Sequence, residues 1–286
     1  MNRTQTRQLL QEEQLAPHKK LGQNFLVHRH TAERIVQLAG IKSDQTVVEV
    51  GVGLGALTRP LAAAAKRVIG IEADSGIIRM HREQNDLPAN VELHHQDILR
   101  CDFARLAREC GGRITFVANL PYSISSPFLF RLYEHSTLMA SAVIMLQKEV
   151  TQRLQADPGC KAYGVPTVLL GACCEITTLM RLSPDEFHPR PKVDSAVVRL
   201  QFHPVPETIA ALDKFDPNTL RRVVNAAFGK RRKTLVNALH GHGWTGDKRE
   251  LGKIISQCGI DPRVRAEQLH VREFIRLAGK LGQAAS

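Results

Sequence analysis

Short apolar runs separated by amphipathic stretches set the rhythm of the first two thirds of this chain. Residues 46–50, TVVEV, are a strand-length run that ends in the glycine-rich turn Gly51-Val52-Gly53-Leu54-Gly55. A helical pattern runs from Ala56 to about Lys66, and a second apolar run, RVIGIEAD, follows. Strand, glycine loop, helix and strand make a βαβ unit, which predicts a parallel sheet. Further strands are expected from Val91 to His95, Ile114 to Asn119 and Ala142 to Leu146, with helical patterns between them. EITTLMRL and SAVVRLQF, joined by the proline-rich SPDEFHPRPKVD, are expected to pair as an antiparallel edge.

After Phe202 the pattern changes. HPVPETIAALDKFDPN reads as a linker with a short helix, and from Thr219 onward the periodicity is helical. The expected fold class is α/β: a Rossmann-like domain over 21–205, a small helical domain over 206–286 and an N-terminal extension over 1–20.

Composition supports a soluble globular chain and adds a charge. Hydrophobic residues are 43% and charged residues 23%. Lys and Arg number 39 against 28 Asp and Glu, a net charge of +11, which attracts polyanions, nucleic acid foremost. Six cysteines without CxxC spacing read as reduced thiols rather than a zinc ribbon or disulfide framework. The twelve histidines show no metal-ligand spacing, so no metal is expected. The N-terminus carries no signal-peptide core, and the most apolar stretch, VPTVLLGACCEI, is too short to span a bilayer. A cytoplasmic protein with no membrane association is the expectation.

Three close glycines after a strand let the backbone turn tightly and present free amides at a helix N-terminus. Glu72, ending the next strand, stands where an acid can accept both hydroxyls of a ribose. GVGLGA also fits a dinucleotide loop, so these features alone leave NAD and S-adenosylmethionine close to even. Glu49 ahead of the loop, giving E-x-G-x-G-x-G, and Asp97 after the third strand favour the latter. Asp97 can accept from an adenine amino group, or cap the helical ILRCDFARLA that follows it.

The fourth strand ends on Asn119-Leu120-Pro121-Tyr122, NLPY. By itself this is also a good turn. At the carboxyl edge of a parallel sheet it could do more. An exocyclic amino group on a nucleobase is a poor nucleophile, because its lone pair is delocalised into the ring. The Asn119 side-chain oxygen and the Leu120 carbonyl could each accept one of its N–H bonds, with Pro121 fixing the backbone direction. Catalysis would then be positioning and preorganised polarity. Tyr122 supplies a stacking face, and Phe187 is the candidate for a second one, with ordinary core packing as its alternative.

Nine segments occur in order: GQNFL (22–26), VEVGVGLGALT (48–58), IEAD (71–74), QDIL (96–99), NLPYSIS (119–125), LQKEV (146–150), FHPRPKVDSAVVRL (187–200), KRRKTLVNAL (230–239) and RAEQL (265–269). Together they closely resemble the small-subunit (16S) ribosomal RNA adenine N6-dimethyltransferase family, the kasugamycin-resistance methyltransferases, from about Leu21 to Ala278. The resemblance implies a class I S-adenosylmethionine-dependent fold. It also implies transfer of methyl groups to N6 of two adjacent adenosines in a hairpin loop near the 3′ end of 16S rRNA, late in small-subunit assembly. Asn24 and Leu26 would close over the methionine end of the cofactor and Gly51 would line the loop beneath it. Glu72 would take the ribose, Asp97 the adenine, and Asn119 the reaction centre. Val52 departs from the family pattern, where many relatives carry proline.

Between Pro217 and His240 lie six basic residues and no acid: Arg221, Arg222, Lys230, Arg231, Arg232 and Lys233. They would dock RNA phosphate without reading sequence, or form a solvated helical face. A monomer acting on 16S rRNA within the small ribosomal subunit is expected. The alternatives are the macrolide-resistance type of large-subunit rRNA adenine methyltransferase, an RNA-binding assembly checkpoint and, more distantly, a nicotinamide oxidoreductase.

Overall fold

The computed structural model describes residues 3–13, 23–202, 215–230, 232–242, 244 and 247–284. They divide into two units, Met1–Thr151 with Ile176–Gln201, and Gln152–Glu175 with Phe202–Ser286. The domain boundary expected at 206, most of the linker and Arg231 fall outside the described residues.

The first unit is built on the strands that the apolar runs predict. They are β1 (Phe25–Leu26), β2 (Thr46–Val50), β3 (Arg67–Glu72), β4 (Val91–His95), β5 (Ile114–Asn119), β6 (Met139–Gln147), β7 (Cys174–Leu182), β8 (Phe187–His188) and β9 (Ser195–Phe202). A seven-stranded sheet runs β4-β3-β2-β5-β6-β9-β7. Its first five strands are mutually parallel and β9 is antiparallel to β6. β6 is longer than its apolar run, because β9 pairs along it from Ser141 to Gln147 and satisfies its backbone there. β2 and β5 are buried almost throughout, as central parallel strands must be, whereas the edge strand β4 is only half-buried.

Helices of this unit are α1 (Arg3–Glu12), α2 (Arg29–Ala39), α3 (Thr58–Ala64), α4 (Ser75–Gln84), α5 (Phe103–Glu109), α6 (Ser125–Glu134) and the start of α7 (Lys148–Leu154), whose residues from Gln152 on are counted in the second unit. Asp74 starts α4 by accepting from the amides of Gly76 and Ile77, and Asp102 starts α5 in the same way. One face of the sheet packs Val47, Val68, Val117 and Val197 against Ile35 and Leu61. A second cluster packs Phe116 edge to face on Phe128 and tilted against Phe103.

Two parts of this unit were not expected from the apolar pattern. β1 pairs antiparallel with β8 and forms a two-stranded ribbon, Leu26 opposite Phe187. α1 buries Thr6 and Leu10, and Leu10 joins Phe25, Leu54, Ile77 and Met80 in a small core. Arg3 also reaches the Asp185 carbonyl at 3.0 Å. Residues 3–13 of the N-terminal extension therefore pack on the α/β unit.

The second unit is helical: α8 (Val165–Gly171), α9 (Pro217–Gly229), α10 (Leu235–His240), α11 (Lys248–Gln257) and α12 (Val271–Ala284). The Tyr163 hydroxyl donates to the Leu269 carbonyl at 2.7 Å, and Phe228 stacks on Phe274 at 5.8 Å between centroids. Residues 152–173, up to the start of β7, thus pack with the helices, inside the span expected as one continuous 21–205 domain. The segment's apolar run fits either environment, and its partners lie about a hundred residues further along.

Candidate active site

β3 and β4 lie to one side of β2, and β5 and β6 to the other. The strand order reverses between β2 and β5, so a crevice opens beyond their carboxyl ends. Gly51 leaves β2 with φ 77°, and a Cβ there would stand 3.1 Å from the Asn119 carbonyl. Glycine is required at that position both for the left-handed turn and for the close approach. The cleft is lined by Asn24, Leu26, Gly51, Glu72 and Asn119 among others. These residues come from four separate segments of the sequence.

Loop 51–55 is held from behind. Gly53 donates its amide to Glu72 Oε2 at 3.0 Å, and Asp74 donates to Glu72 Oε1 at 2.9 Å. The loop carbonyls are taken as well. His81 Nε2 lies 2.8 Å from the Gly53 carbonyl, and Arg59 donates to the Leu54 and Gly55 carbonyls at 3.1 and 3.2 Å. Asp86 ties the two donors together, accepting from Arg59 and lying 2.7 Å from His81 Nδ1. Val52 is accommodated by Gly70 on β3, where a Cβ would come within 2.8 Å of a Val52 methyl.

Two carboxyl groups in the cleft are protonated more readily than usual. Burial raises Glu72, and the amides of Gly53 and Asp74 partly offset this. Glu49 is fully buried, and burial pushes its carboxyl up to about 8, helped by the negative Glu72 and opposed by Thr58 and Arg59. Among the described residues neither Glu49 oxygen completes a hydrogen bond of good geometry, nor does the Thr58 hydroxyl beside it. A buried carboxyl with no partner is costly. A cationic ligand group in the cleft would relieve it. S-adenosylmethionine carries two such groups, an ammonium and a sulfonium, so the donor set fits that cofactor.

At the β5 edge, Asn119 Nδ2 donates to the Asn24 carbonyl at 2.9 Å, which leaves Oδ1 to accept. Pro121 lines the cleft, Leu120 is buried, and Tyr122 stands half-buried on the short turn that follows. The Tyr122 hydroxyl lies 2.6 Å from Ser195 Oγ. Asp97 caps the turn Ile98–Arg100 by accepting from Leu99 N at 2.9 Å through Oδ1.

Phe187 is 0% exposed, paired with Leu26 and packed in the core with Val117, Val143 and Val197, which is the core-packing alternative to a stacking face. Such burial stabilises the fold by about 2–3 kcal/mol.

Arg221 and Arg222 lie on α9, and Lys230, Arg232 and Lys233 are exposed just after it. The Arg222 guanidinium sits over the Trp244 ring at 4.4 Å. Sequence reasoning assigned no part to Arg59, His81, Asp86 or Ser195. Each acts through a partner distant in sequence, and none belongs to a recognisable local pattern.

Comparison with known proteins agrees with this geometry. The ribosomal RNA adenine dimethylase family model matches residues 15–282. The chain is 48% identical to ribosomal RNA small subunit methyltransferase A of Desulfotalea psychrophila, covering 95% of this chain and 94% of that one. Among solved structures, a dimethyladenosine transferase from Plasmodium falciparum superposes with a TM-score of 0.74 at 25% identity, covering 91% of this chain and 98% of that one. The 23S rRNA methyltransferase ErmE gives 0.66 at 25% identity, covering 91% and 100%. With a Rossmann-like sheet, a cleft at its switch point and a family match along almost its whole length, the chain belongs to the ribosomal RNA adenine dimethylase family and is an S-adenosylmethionine-dependent methyltransferase.

Proposed function

We propose that this enzyme dimethylates N6 of two adjacent adenosines in the hairpin loop near the 3′ end of 16S rRNA, acting as a cytoplasmic monomer on a small ribosomal subunit late in assembly. The observation that carries the reading is the convergence of Glu72, the 51–55 loop and Asn119 on one cleft at the switch point. The small subunit is favoured over the large by 48% identity to a small-subunit enzyme, against 25% to ErmE.

The bound cofactor supplies an electrophilic methyl group. Everything else falls to the chain. Asn24 and Leu26 cover the methionine end, with Glu49 as the counter-charge to a cationic group. Glu72 accepts from the ribose while two backbone amides hold its carboxylate in place. Asp97 takes the adenine amino group in this reading, and its second carboxylate oxygen supports that, because only Oδ1 accepts from Leu99. Asn119 Oδ1 and the Leu120 carbonyl accept the two N–H bonds of the target amine, which favours a pyramidal nitrogen with its lone pair directed at the methyl group. Pro121 holds the direction of that turn, and Tyr122 stacks on the base, which returns about 1–3 kcal/mol of the cost of unstacking it.

Arg221, Arg222, Lys230, Arg231, Arg232 and Lys233 neutralise RNA phosphates. Replacing residues 230–233 together by Ala should weaken binding to the particle and flatten its salt dependence. Each lost contact removes about 0.7–0.9 from the slope. An unchanged slope would place the cluster in solvent.

Methyl transfer from labelled S-adenosylmethionine to small subunits lacking these methyl groups, with large-subunit RNA as control, tests the assignment. Dimethyladenosine in the small-subunit RNA alone is expected on nucleoside mass spectrometry. Label in the large-subunit RNA would overturn the choice of subunit.

A further inference from the structure

We propose that Ser195 is a positioning residue for methyl transfer, its hydroxyl anchoring Tyr122 so that the ring meets the target base in a preset orientation. The inference rests on the stacking role given to Tyr122 above.

The two hydroxyls lie 2.6 Å apart, across 73 residues of sequence. They stand on unlike supports. Ser195 opens β9, is 1% exposed and pairs with Gln147 at the end of β6. Its neighbour Asp194 accepts from the Lys148 amide at 2.9 Å, so the chain is pinned on both sides of the serine. Tyr122 sits instead on the three-residue turn Tyr122–Ile124, which has no side-chain cap. A ring on such a turn keeps its torsional freedom unless something holds its far end. The phenol oxygen is that far end, opposite Cβ, so a bond there fixes where the long axis of the ring points. Burial raises the Tyr122 phenol above its ordinary range, which keeps the hydroxyl protonated and able to share in the bond. Freedom removed before the base arrives is not lost when it stacks.

The rival interpretation is that the bond parks the ring and must break for substrate to enter. The two make opposite forecasts. An anchor that is removed slows the reaction, whereas a removed parking contact speeds it.

The test is a double-mutant cycle of Ser195→Ala and Tyr122→Phe on methyl transfer to small ribosomal subunits lacking the methyl groups, at saturating S-adenosylmethionine. Each single variant should slow the single-turnover rate about three- to tenfold. The double variant should be no slower than the worse single one, since both remove the same bond. Affinity for S-adenosylhomocysteine by calorimetry should stay within about twofold of wild type in all three. Tyr122→Phe reaches the bond from the turn without altering the strand, so a folding defect in Ser195→Ala could not imitate the result. Losses that multiply, or faster transfer in Ser195→Ala, would overturn the anchor. Tyr122→Leu separates the two ideas. Full activity there would remove the stacking reading and the anchor with it. A nearly inactive Tyr122→Leu beside multiplying losses would overturn the anchor alone.

Discussion

The two edges of the cleft are built on different terms. At the β2 edge, the amide of Gly53 and the carbonyls of Gly53, Leu54 and Gly55 all have partners, and these trace to a linked polar set of Glu72, His81, Asp86 and Arg59. At the β5 edge, Asn119 is held by one bond to the Asn24 carbonyl and Tyr122 by one to Ser195. The first edge is preorganised for a ligand of constant shape. The second keeps acceptors available for a group that must be positioned and then released after each transfer. The difference teaches that binding and chemistry can be damaged separately in one cleft.

The largest expected effect strikes the β5 edge. Asn119→Ala should lower the single-turnover rate by about 10²–10³, or about 3–4 kcal/mol, the scale of losing one preorganised polar contact to a transition state. Affinity for S-adenosylhomocysteine should fall by less than about tenfold, because Glu72 and the loop remain. Undiminished turnover would end the amino-group mechanism.

A smaller effect is expected at Glu49, and it depends on pH. The carboxyl rises from 4.5 to about 8 in the folded protein, so it stabilises the ligand-free fold fully below pH 4.5. That contribution is lost as pH rises through about 8. Thermal melts of the free protein should therefore show stability declining over this window, and Glu49→Gln should show a flatter profile. Glu72 shifts in the same direction, so some slope remains. Binding of the cationic cofactor should release a proton near neutral pH, visible as a buffer-dependent heat. Glu49→Gln should bind about tenfold more weakly and release fewer protons. Identical proton release in both proteins would mean that Glu49 keeps its proton.

The smallest effect should come from behind the loop. Asp86→Asn weakens the ties to both Arg59 and His81 and should raise the cofactor KM about three- to tenfold with kcat little changed. A loss confined to kcat would instead couple this network to the β5 edge.

Much of the cleft could be read from the chain because its main residues end strands. Glu72 closes β3 and Asn119 closes β5, so recognising the parallel strands was enough to bring both to one crevice. Phe187 could not be placed between stacking and core packing for the opposite reason. A proline-rich segment looks like exposed loop, and only its pairing with Leu26 turns the ring inward. Residues 152–173 were placed within the continuous 21–205 span because an apolar helix shows which side it buries only when its partners are known.

The amino-acid sequence alone determined the alternation of strands and helices, the glycine loop and the strand ends on which Glu72 and Asn119 stand, because each depends on residues close together in the chain. The tertiary structure decided everything that joins distant segments: α1 on the Phe25 cluster, β1 against β8, the Arg59–Asp86–His81 brace and the Tyr122–Ser195 bond. These contacts form only once the sheet has brought their backbones together, and periodicity carries no record of which distant side chains will then meet.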